Sequence, residues 1–235
     1  MDIFWKHVES RRISGNLPEG DYRQKGNAFR DFISELIYIR SDGQYRLVDI
    51  RIPGYTEKNH DVDLAYLHVA VGEVKMTGSP AHRRGNALQK ERKTQSDLDK
   101  RLKEVKFTAV DLELYYTPTN VAKDVILSVQ DEEKLPNPWW EEWIKLSVPG
   151  FYSFWASRLA SGRIKYGKVV NADNPSLLLE KFQNLSRYNN AVGLFMFKED
   201  GRRYIPVMED EIKKSSLSVD DAIQNLLNFL DKHVG

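Results

Sequence analysis

Two carboxylates and a lysine stand close together in an apolar part of the chain. Asp63 is followed, after nine mostly apolar residues, by Glu73-Val74-Lys75, and Asp61 lies two positions before Asp63. Side chains alternate across a β-strand, so we expect Glu73 and Lys75 to share one face of a strand and Asp61 and Asp63 to share one face of another. Pairing of these strands would bring three charges together at one edge of a sheet.

A divalent metal ion and a phosphate group suit such a site. Mg²⁺ prefers oxygen ligands and keeps several waters, so Asp63, Glu73 and the carbonyl oxygen of Val74 would suffice together with a phosphate oxygen. The metal would acidify a bound water, and Lys75 would orient or help deprotonate that water. This chemistry is phosphodiester hydrolysis without a protein nucleophile. The ten-residue offset to Glu73 favours Asp63 as the first carboxylate, with Asp61 as the alternative.

Four periodic segments are expected to position these residues. Apolar residues at helical spacing predict a helix from Gly26 to Ile39. Alternation predicts strands at Gln44 to Ile52, Val62 to Leu67 and Val69 to Met76. The turn at residues 66–68 contains no Gly, Pro, Asn or Asp, so the hairpin is inferred from the carboxylate pattern rather than from the turn.

Further elements follow this region. A charged helix is predicted from Asn86 to Val105, and a strand from Ala109 to Thr117 that would pair in parallel with Val69 to Met76 across that helix. The remaining expected elements are a helix from Pro118 to Gln130, a helix from Asn174 to Tyr188, a hairpin of 191–198 with 202–208, and a closing helix to His233 that begins with a Ser218/Asp221 capping box.

The formal net charge of +1 conceals a basic segment directly after the Glu-x-Lys. Residues 76–106 contain nine basic and four acidic side chains. A positive surface suits a polyanion, since neutralised phosphates release counterions. The alternative is a solvated helix face with ion pairs between residues four apart. Arg83 and Arg84 are the preferred phosphate contacts, followed by Lys90, Arg92 and Lys93.

Composition indicates a folded protein of ordinary type. The 235 residues are 41% hydrophobic and 29% charged, which argues against disorder. The absence of cysteine excludes disulfides and thiolate chemistry. No apolar run approaches the length of a membrane-spanning helix, and the amino terminus lacks a signal-peptide core, so we expect a cytoplasmic protein that does not bind a membrane.

The chain divides by composition near residue 130. Residues 1–130 hold the candidate site, whereas residues 131–235 begin with a stretch rich in Trp and other aromatic residues. This second part would either complete the fold or form a recognition or dimerisation subdomain. The expected fold class is α/β or α+β with a mixed sheet.

The string Asp61-Val62-Asp63-Leu64, followed by Val71-Gly72-Glu73-Val74-Lys75, resembles the motif of the PD-(D/E)XK nuclease superfamily. The resemblance covers roughly residues 26–117. It implies a restriction-endonuclease-like core, in which a mixed central β-sheet is flanked by helices, and Mg²⁺-dependent cleavage of DNA, with Mn²⁺ as a substitute. It also implies that Asp63 and Glu73 are metal ligands and that Lys75 is the catalytic lysine.

The chain departs from the family pattern at two places. Val62 stands where a proline commonly precedes the aspartate. Members of the family often supply a further acidic residue from the first helix, but Arg30 occupies the position expected for a glutamate, which leaves Asp31 or Glu35 as substitutes.

These observations favour a metal-dependent DNA endonuclease, either of the restriction type or acting in defence or repair. A homodimer would allow cleavage of both strands of a symmetric site. One alternative is a catalytically inactive nucleic-acid-binding protein with the same fold. The other is an unrelated α/β protein in which the charges are incidental.

Overall fold

A six-stranded mixed sheet with helices on both faces forms the centre of the protein. The computed structural model describes residues 21–66, 69–79, 82–84, 87–89, 91–117, 148–200 and 203–234. The helices are α1 (Asp21–Arg40), α2 (Thr94–Tyr116), α3 (Pro175–Leu185), α4 (Glu209–Lys214) and α5 (Val219–Val234). The strands are β1 (Val48–Ile52), β2 (His60–Tyr66), β3 (Ala70–Thr77), β4 (His82–Arg84), β5 (Ala87–Gln89), β6 (Gly150–Arg158), β7 (Ser161–Lys165), β8 (Lys168–Ala172), β9 (Ala191–Asp200) and β10 (Arg203–Pro206).

The central sheet has the strand order β1-β2-β3-β6-β9-β10. Strands β1, β2 and β3 form an antiparallel meander, β6 and β9 continue the sheet in parallel with β3, and β10 closes it with an antiparallel hairpin. Two further two-stranded sheets, β4-β5 and β7-β8, lie outside it. The predicted mixed sheet flanked by helices is confirmed.

Each face of the sheet has its own hydrophobic core. The α1-side cluster joins α1 and α5 to the sheet, and the α2-side cluster joins α2, α3 and α4 to the opposite face. On α1, Phe29, Ile33 and Ile37 recur every four residues and are almost completely buried, as the helical spacing predicts. The segment is helical because this stripe is buried against the sheet.

Residues 109–117 were expected to form a strand, and this prediction is wrong. Helix α2 continues through Tyr116. The alternation of apolar and acidic residues in this stretch suggests a strand, yet the buried hydrophobic residues of α2 keep a spacing of three and four throughout. They are Leu98, Leu102, Val105, Ala109, Leu112 and Tyr116. Because this stripe packs on the sheet, tertiary burial stabilises the helix over the local strand preference.

The parallel partner of β3 is therefore β6. Every residue of β6 is buried, including the aromatic residues 151, 152, 154 and 155 of the aromatic-rich segment. Trp139, Trp140, Trp143 and the predicted helix from Pro118 to Gln130 lie outside the described residues. Strands from both 1–130 and 131–235 thus lie side by side in one sheet.

The later predictions agree with the structure. The hairpin of β9 with β10 and helix α3 are present. Ser218 Oγ accepts a hydrogen bond from the backbone N–H of Asp221 at 3.0 Å, which is the predicted cap at the start of α5. In the part of the chain that the structure describes, no helix has the length and hydropathy needed to cross a membrane.

Candidate active site

The two predicted carboxylates and the lysine meet at the β2-β3 hairpin. Lys75 Nζ donates hydrogen bonds to Asp63 Oδ2 at 3.1 Å and to Glu73 Oε2. The backbone N–H of Val74 donates to the same Asp63 oxygen at 2.8 Å. The side chain of Val74 packs into the α1-side cluster, so Glu73 and Lys75 point to the opposite face, as strand alternation predicts. The three charged groups thus form one connected cluster.

An irregularity in β2 separates Asp63 from Asp61. Val48 of β1 pairs with Ala65 and Ile50 pairs with Val62, so the stretch of β2 that contains Asp63 has one residue more than its partner. Such β-bulges redirect side chains and are common beside active sites. The alternation expected for this strand is therefore interrupted between Val62 and Ala65.

The consequence is visible in the side-chain environment of the two aspartates. Asp61 is exposed and pairs with Arg51, with 2.7 Å between Asp61 Oδ1 and Arg51 Nε. Asp63 is only partly exposed and contacts Lys75 instead. The prediction that the two aspartates share one face of the strand is wrong, because Val62 packs in the α2-side cluster and Leu64 in the α1-side cluster. Asp63, and not Asp61, therefore lies with Glu73 and Lys75.

Burial makes the carboxyl group of Glu73 a weak acid. Its side chain is 8% exposed, and desolvation, with a smaller contribution from Asp63, raises its pKa to about 7 against the opposing attraction of Lys75. Burial by itself would lower the pKa of Lys75, but the attraction of the two carboxylates outweighs it and the pKa is raised. Lys75 is therefore charged at neutral pH, whereas the carboxyl group of Glu73 has its pKa near neutral pH.

Strand β6 supplies the neighbouring wall of the site. In the parallel register Glu73 lies opposite Ser153, and Lys75 lies opposite Trp155. Ser153 Oγ accepts hydrogen bonds from Trp155 Nε1 at 2.9 Å and from Asn189 Nδ2 at 2.8 Å. Ser153, Trp155 and Asn189 are all buried, so water has little access to this side of Glu73. No sequence pattern reveals Ser153 and Asn189 as neighbours of the site, because Ser153 is brought beside Glu73 by the pairing of β3 with β6, two strands far apart in the chain.

The additional acids proposed for the first helix are not part of this cluster. Asp31 and Glu35 are both exposed on α1, and Asp31 pairs with Arg30 at 2.9 Å. Arg30 also contacts Asp49 of β1. No contact of the described residues joins Asp31 or Glu35 to Glu73.

Helix α1 carries a cation, Arg30, at the position where an acidic residue was expected. Arg30 is partly buried, and although burial lowers its pKa, the carboxylates of Asp31, Asp49 and Asp63 together raise it. Asp63 contributes least of the three carboxylates, and the direct contacts of Arg30 are with Asp31 and Asp49. The sequence signal for this residue was its position in the helix, where the nuclease pattern has a glutamate.

The predicted basic helix from Asn86 is only partly helical. Residues 82–84 and 87–89 form the β4-β5 hairpin, and α2 begins at Thr94. Arg83 and Arg84 have their backbone in β4. Arg92 is exposed and pairs with Asp97 at 3.2 Å, Lys93 immediately precedes α2, and Lys90 lies outside the described residues. Strand β5 thus occupies part of the segment expected to form the first two turns of this helix.

Arg92 is nevertheless held near the end of β3. Its backbone N–H donates to the carbonyl of Ser79 at 2.8 Å, and the N–H of Ser79 donates back to the carbonyl of Arg92 at 3.1 Å. Ser79 follows β3 by two positions. The base of the β4-β5 hairpin is therefore closed beside the strand that carries Glu73 and Lys75.

The donor atoms of the cluster suit a hard divalent cation. Asp63 and Glu73 offer carboxylate oxygens, and Mg²⁺ is commonly held by one or two carboxylates with waters and substrate oxygens completing its shell. The described residues contain no group of three or more Asp, Glu, His or Cys side chains arranged to hold a metal. Two carboxylates are thus the side-chain ligands available here.

Comparison with known proteins identified no similar protein. No family model matches the chain, and searches of curated proteins and of solved structures gave no significant match. The arrangement of Asp63, Glu73 and Lys75 in the fold is therefore the basis for proposing a function.

Proposed function

We propose that the protein is a metal-dependent endonuclease that hydrolyses phosphodiester bonds in DNA, with a core of the restriction-endonuclease-like PD-(D/E)XK type. The observation that carries the proposal is the contact of Lys75 Nζ with both Asp63 and Glu73 on adjacent antiparallel strands. Two carboxylates and an ammonium group on one hairpin are the groups that metal-assisted phosphoryl hydrolysis requires.

Asp63 and Glu73 would hold Mg²⁺, with Mn²⁺ as a substitute and the carbonyl oxygen of Val74 as a further ligand. Bound there, the metal supplies charge stabilisation for the phosphate and a water of lowered pKa. The backbone N–H of Val74 orients Asp63, and Lys75 carries a proton and a positive charge at Nζ beside both carboxylates. Glu73 must be ionised to bind the metal, so its raised pKa makes metal affinity depend on pH near neutrality.

DNA is the proposed substrate because basic residues follow the site in the chain. The β4-β5 hairpin and the segment before α2 carry Arg83, Arg84, Arg92 and Lys93 close to the end of β3. Lys90 belongs to the same proposed set. Cationic side chains near a hydrolytic site bind the phosphates of the backbone and supply affinity independent of sequence. Two copies of the chain acting as a homodimer would cut both strands of a symmetric site.

Cleavage of supercoiled plasmid tests the proposal. The purified protein is incubated with Mg²⁺, Mn²⁺, Ca²⁺ or EDTA, and nicked and linear products are quantified. We expect cleavage with Mg²⁺ or Mn²⁺ and a loss of at least about 100-fold in Asp63→Asn and in Lys75→Ala.

The matched control is Asp61→Asn, which changes an exposed aspartate in the same strand and should keep activity close to that of the wild type. Far-ultraviolet circular dichroism confirms that each variant is folded. Cleavage that survives both Asp63→Asn and Lys75→Ala would refute the assignment. DNA binding by the wild type without cleavage under any metal would favour the catalytically inactive nucleic-acid-binding protein.

A further inference from the structure

The β7-β8 hairpin is an exposed two-stranded ribbon next to the central sheet. It is called the basic ribbon here and comprises residues 161–172. Tyr166 and Gly167 form its tip with φ angles of 51° and 73°. Positive φ at both central residues is the requirement of a type I′ turn, whose twist matches that of the paired strands. The ribbon therefore has a tight two-residue tip, while Gly162 and Asn171 near its base also have positive φ angles, of 76° and 61°.

The two faces of the basic ribbon have different chemistry. Ile164 lies opposite Val169, and the two are 79% and 63% exposed. Lys165 lies opposite Lys168 on the other face, and both are exposed. Tyr166 at the tip is 91% exposed. One face is thus apolar, the other is cationic, and an aromatic ring stands at the end.

Both faces are costly for a hairpin surrounded only by water. Two lysines directly opposite each other across a strand pair repel and destabilise it. Exposed Ile164 and Val169 gain little from burial, and a two-stranded hairpin has only marginal stability by itself. Residues 161–172 contain Arg163, Lys165 and Lys168 but no Asp or Glu. A polyanion that also offers an apolar surface would relieve both costs.

The base of the basic ribbon is fixed firmly to the rest of the protein. Ala160 donates its N–H to Asp173 Oδ2 at 2.8 Å, and Asp173 donates its N–H to the carbonyl of Ala160 at 3.0 Å. The same Asp173 oxygen accepts the N–H of Thr94 at the start of α2, at 3.0 Å. These bonds join the two ends of the ribbon to α2. Its orientation is therefore set by the fold.

The basic ribbon begins just after the carboxyl end of β6, which lies beside the carboxyl end of β3, the strand that carries Glu73 and Lys75. Strand β6 leads into the ribbon and runs parallel to β3, with Thr77 opposite Ser157. The hydroxyls of these two residues are 3.0 Å apart. Lys75 lies two residues before Thr77, which is roughly 7 Å along a strand. The β4-β5 hairpin follows β3 and the ribbon follows β6, so both hairpins begin at the same end of two neighbouring parallel strands.

We propose that the basic ribbon is a DNA-binding arm that enters a groove of duplex DNA. Lys165, Lys168 and Arg163 contact the phosphates, while Tyr166 and Ile164 contact the sugars and base edges inside the groove. The major groove admits a two-stranded β-ribbon, and cationic contacts to phosphate supply the affinity. The choice of DNA as partner rests on the proposed nuclease function, whereas the role of the arm in binding is a separate claim.

Equilibrium binding of a fluorescein-labelled 30-base-pair duplex tests this inference on the full chain. Fluorescence anisotropy is measured in EDTA, so that cleavage does not interfere, at several salt concentrations. The double variant Lys165→Ala/Lys168→Ala should reduce the slope of log affinity against log salt by about 2, since each phosphate contact contributes about 1. Tyr166→Ala should weaken binding at least about 5-fold with the slope unchanged.

The matched control is Lys213→Ala/Lys214→Ala, which removes the same charge from α4 and should leave the slope as in the wild type. An unchanged slope in the ribbon variant, or equal effects of both double variants, would overturn the inference. So would the absence of duplex binding at low salt, or binding to vesicles containing phosphatidylserine in place of DNA.

The ribbon inference and the nuclease proposal fail in different ways. Plasmid cleavage with ribbon-independent DNA binding would refute the ribbon and leave the nuclease intact. Ribbon-dependent binding without cleavage would support the arm and refute the nuclease.

Discussion

Replacing Glu73 by glutamine tests the electrostatics of the candidate site through the stability of the fold. Burial raises the pKa of this carboxyl from an ordinary value of 4.5 to about 7. Between these values the folded protein keeps a proton that the unfolded chain has released. The stability contribution of Glu73 therefore falls as pH rises through this window, and glutamine, which does not titrate, removes that fall.

The magnitude follows from the two pKa values. The difference between about 7 and 4.5 corresponds to roughly 3 kcal/mol in total, at about 1.4 kcal/mol per pH unit. Most of it, about 2 to 3 kcal/mol, falls between about pH 5 and about pH 8. The free energy of unfolding of Glu73→Gln minus that of the wild type should rise by this amount across the range. The attraction of Lys75 is already part of the pKa of Glu73, so it adds no separate contribution to this pH dependence.

Urea unfolding in EDTA, followed by circular dichroism at half-unit steps of pH, measures this difference. Asp61→Asn serves as the control, and its difference from the wild type should stay flat, because that carboxylate is exposed beside Arg51. A flat profile for Glu73→Gln as well would show that Glu73 is ionised in the folded state throughout, and the reasoning from its burial would be refuted. Adding Mg²⁺ should stabilise the wild type increasingly as pH rises and should stabilise Glu73→Gln far less.

Two predictions concern residues that hold the framework of the site. Asp173→Ala removes the acceptor for the buried N–H groups of Thr94 and Ala160 and should cost about 2–4 kcal/mol in urea unfolding, whereas Asp173→Asn, which keeps one acceptor oxygen, should cost less. Burial favours the neutral form of Asp111, but hydrogen bonds from His60 and from nearby backbone outweigh this and lower its pKa to about 2. Its stabilisation is complete above its ordinary pKa of 3.8 and is lost as pH falls toward 2, so Asp111→Asn should unfold with a shallower acid dependence than the wild type. An acid titration of equal steepness for both proteins would contradict this.

Local pattern predicts those parts of the fold that bury a periodic stripe. The spacing of Phe29, Ile33 and Ile37 is sufficient for α1, because one face of the helix packs on the sheet. The carboxylate pattern placed the β2-β3 hairpin correctly although its turn is weakly marked. The strand predicted at 109–117 failed because an alternating run of apolar and acidic residues also fits a helix that continues an existing stripe. Leu112 and Tyr116 extend that stripe, and burial decided between the two periods.

The sequence by itself determined which chemistry the site can do. The candidate residues are Asp61 or Asp63 together with Glu73 and Lys75, and the alternation of β3 puts Glu73 and Lys75 on one face whatever surrounds them. Only the tertiary structure decided that Asp63 rather than Asp61 joins them, because the β-bulge depends on the pairing of β2 with β1. It also decided the acidity of Glu73. That pKa depends on the burial of Glu73 in the folded sheet, where β3 lies beside β6 although the two strands are far apart in the chain.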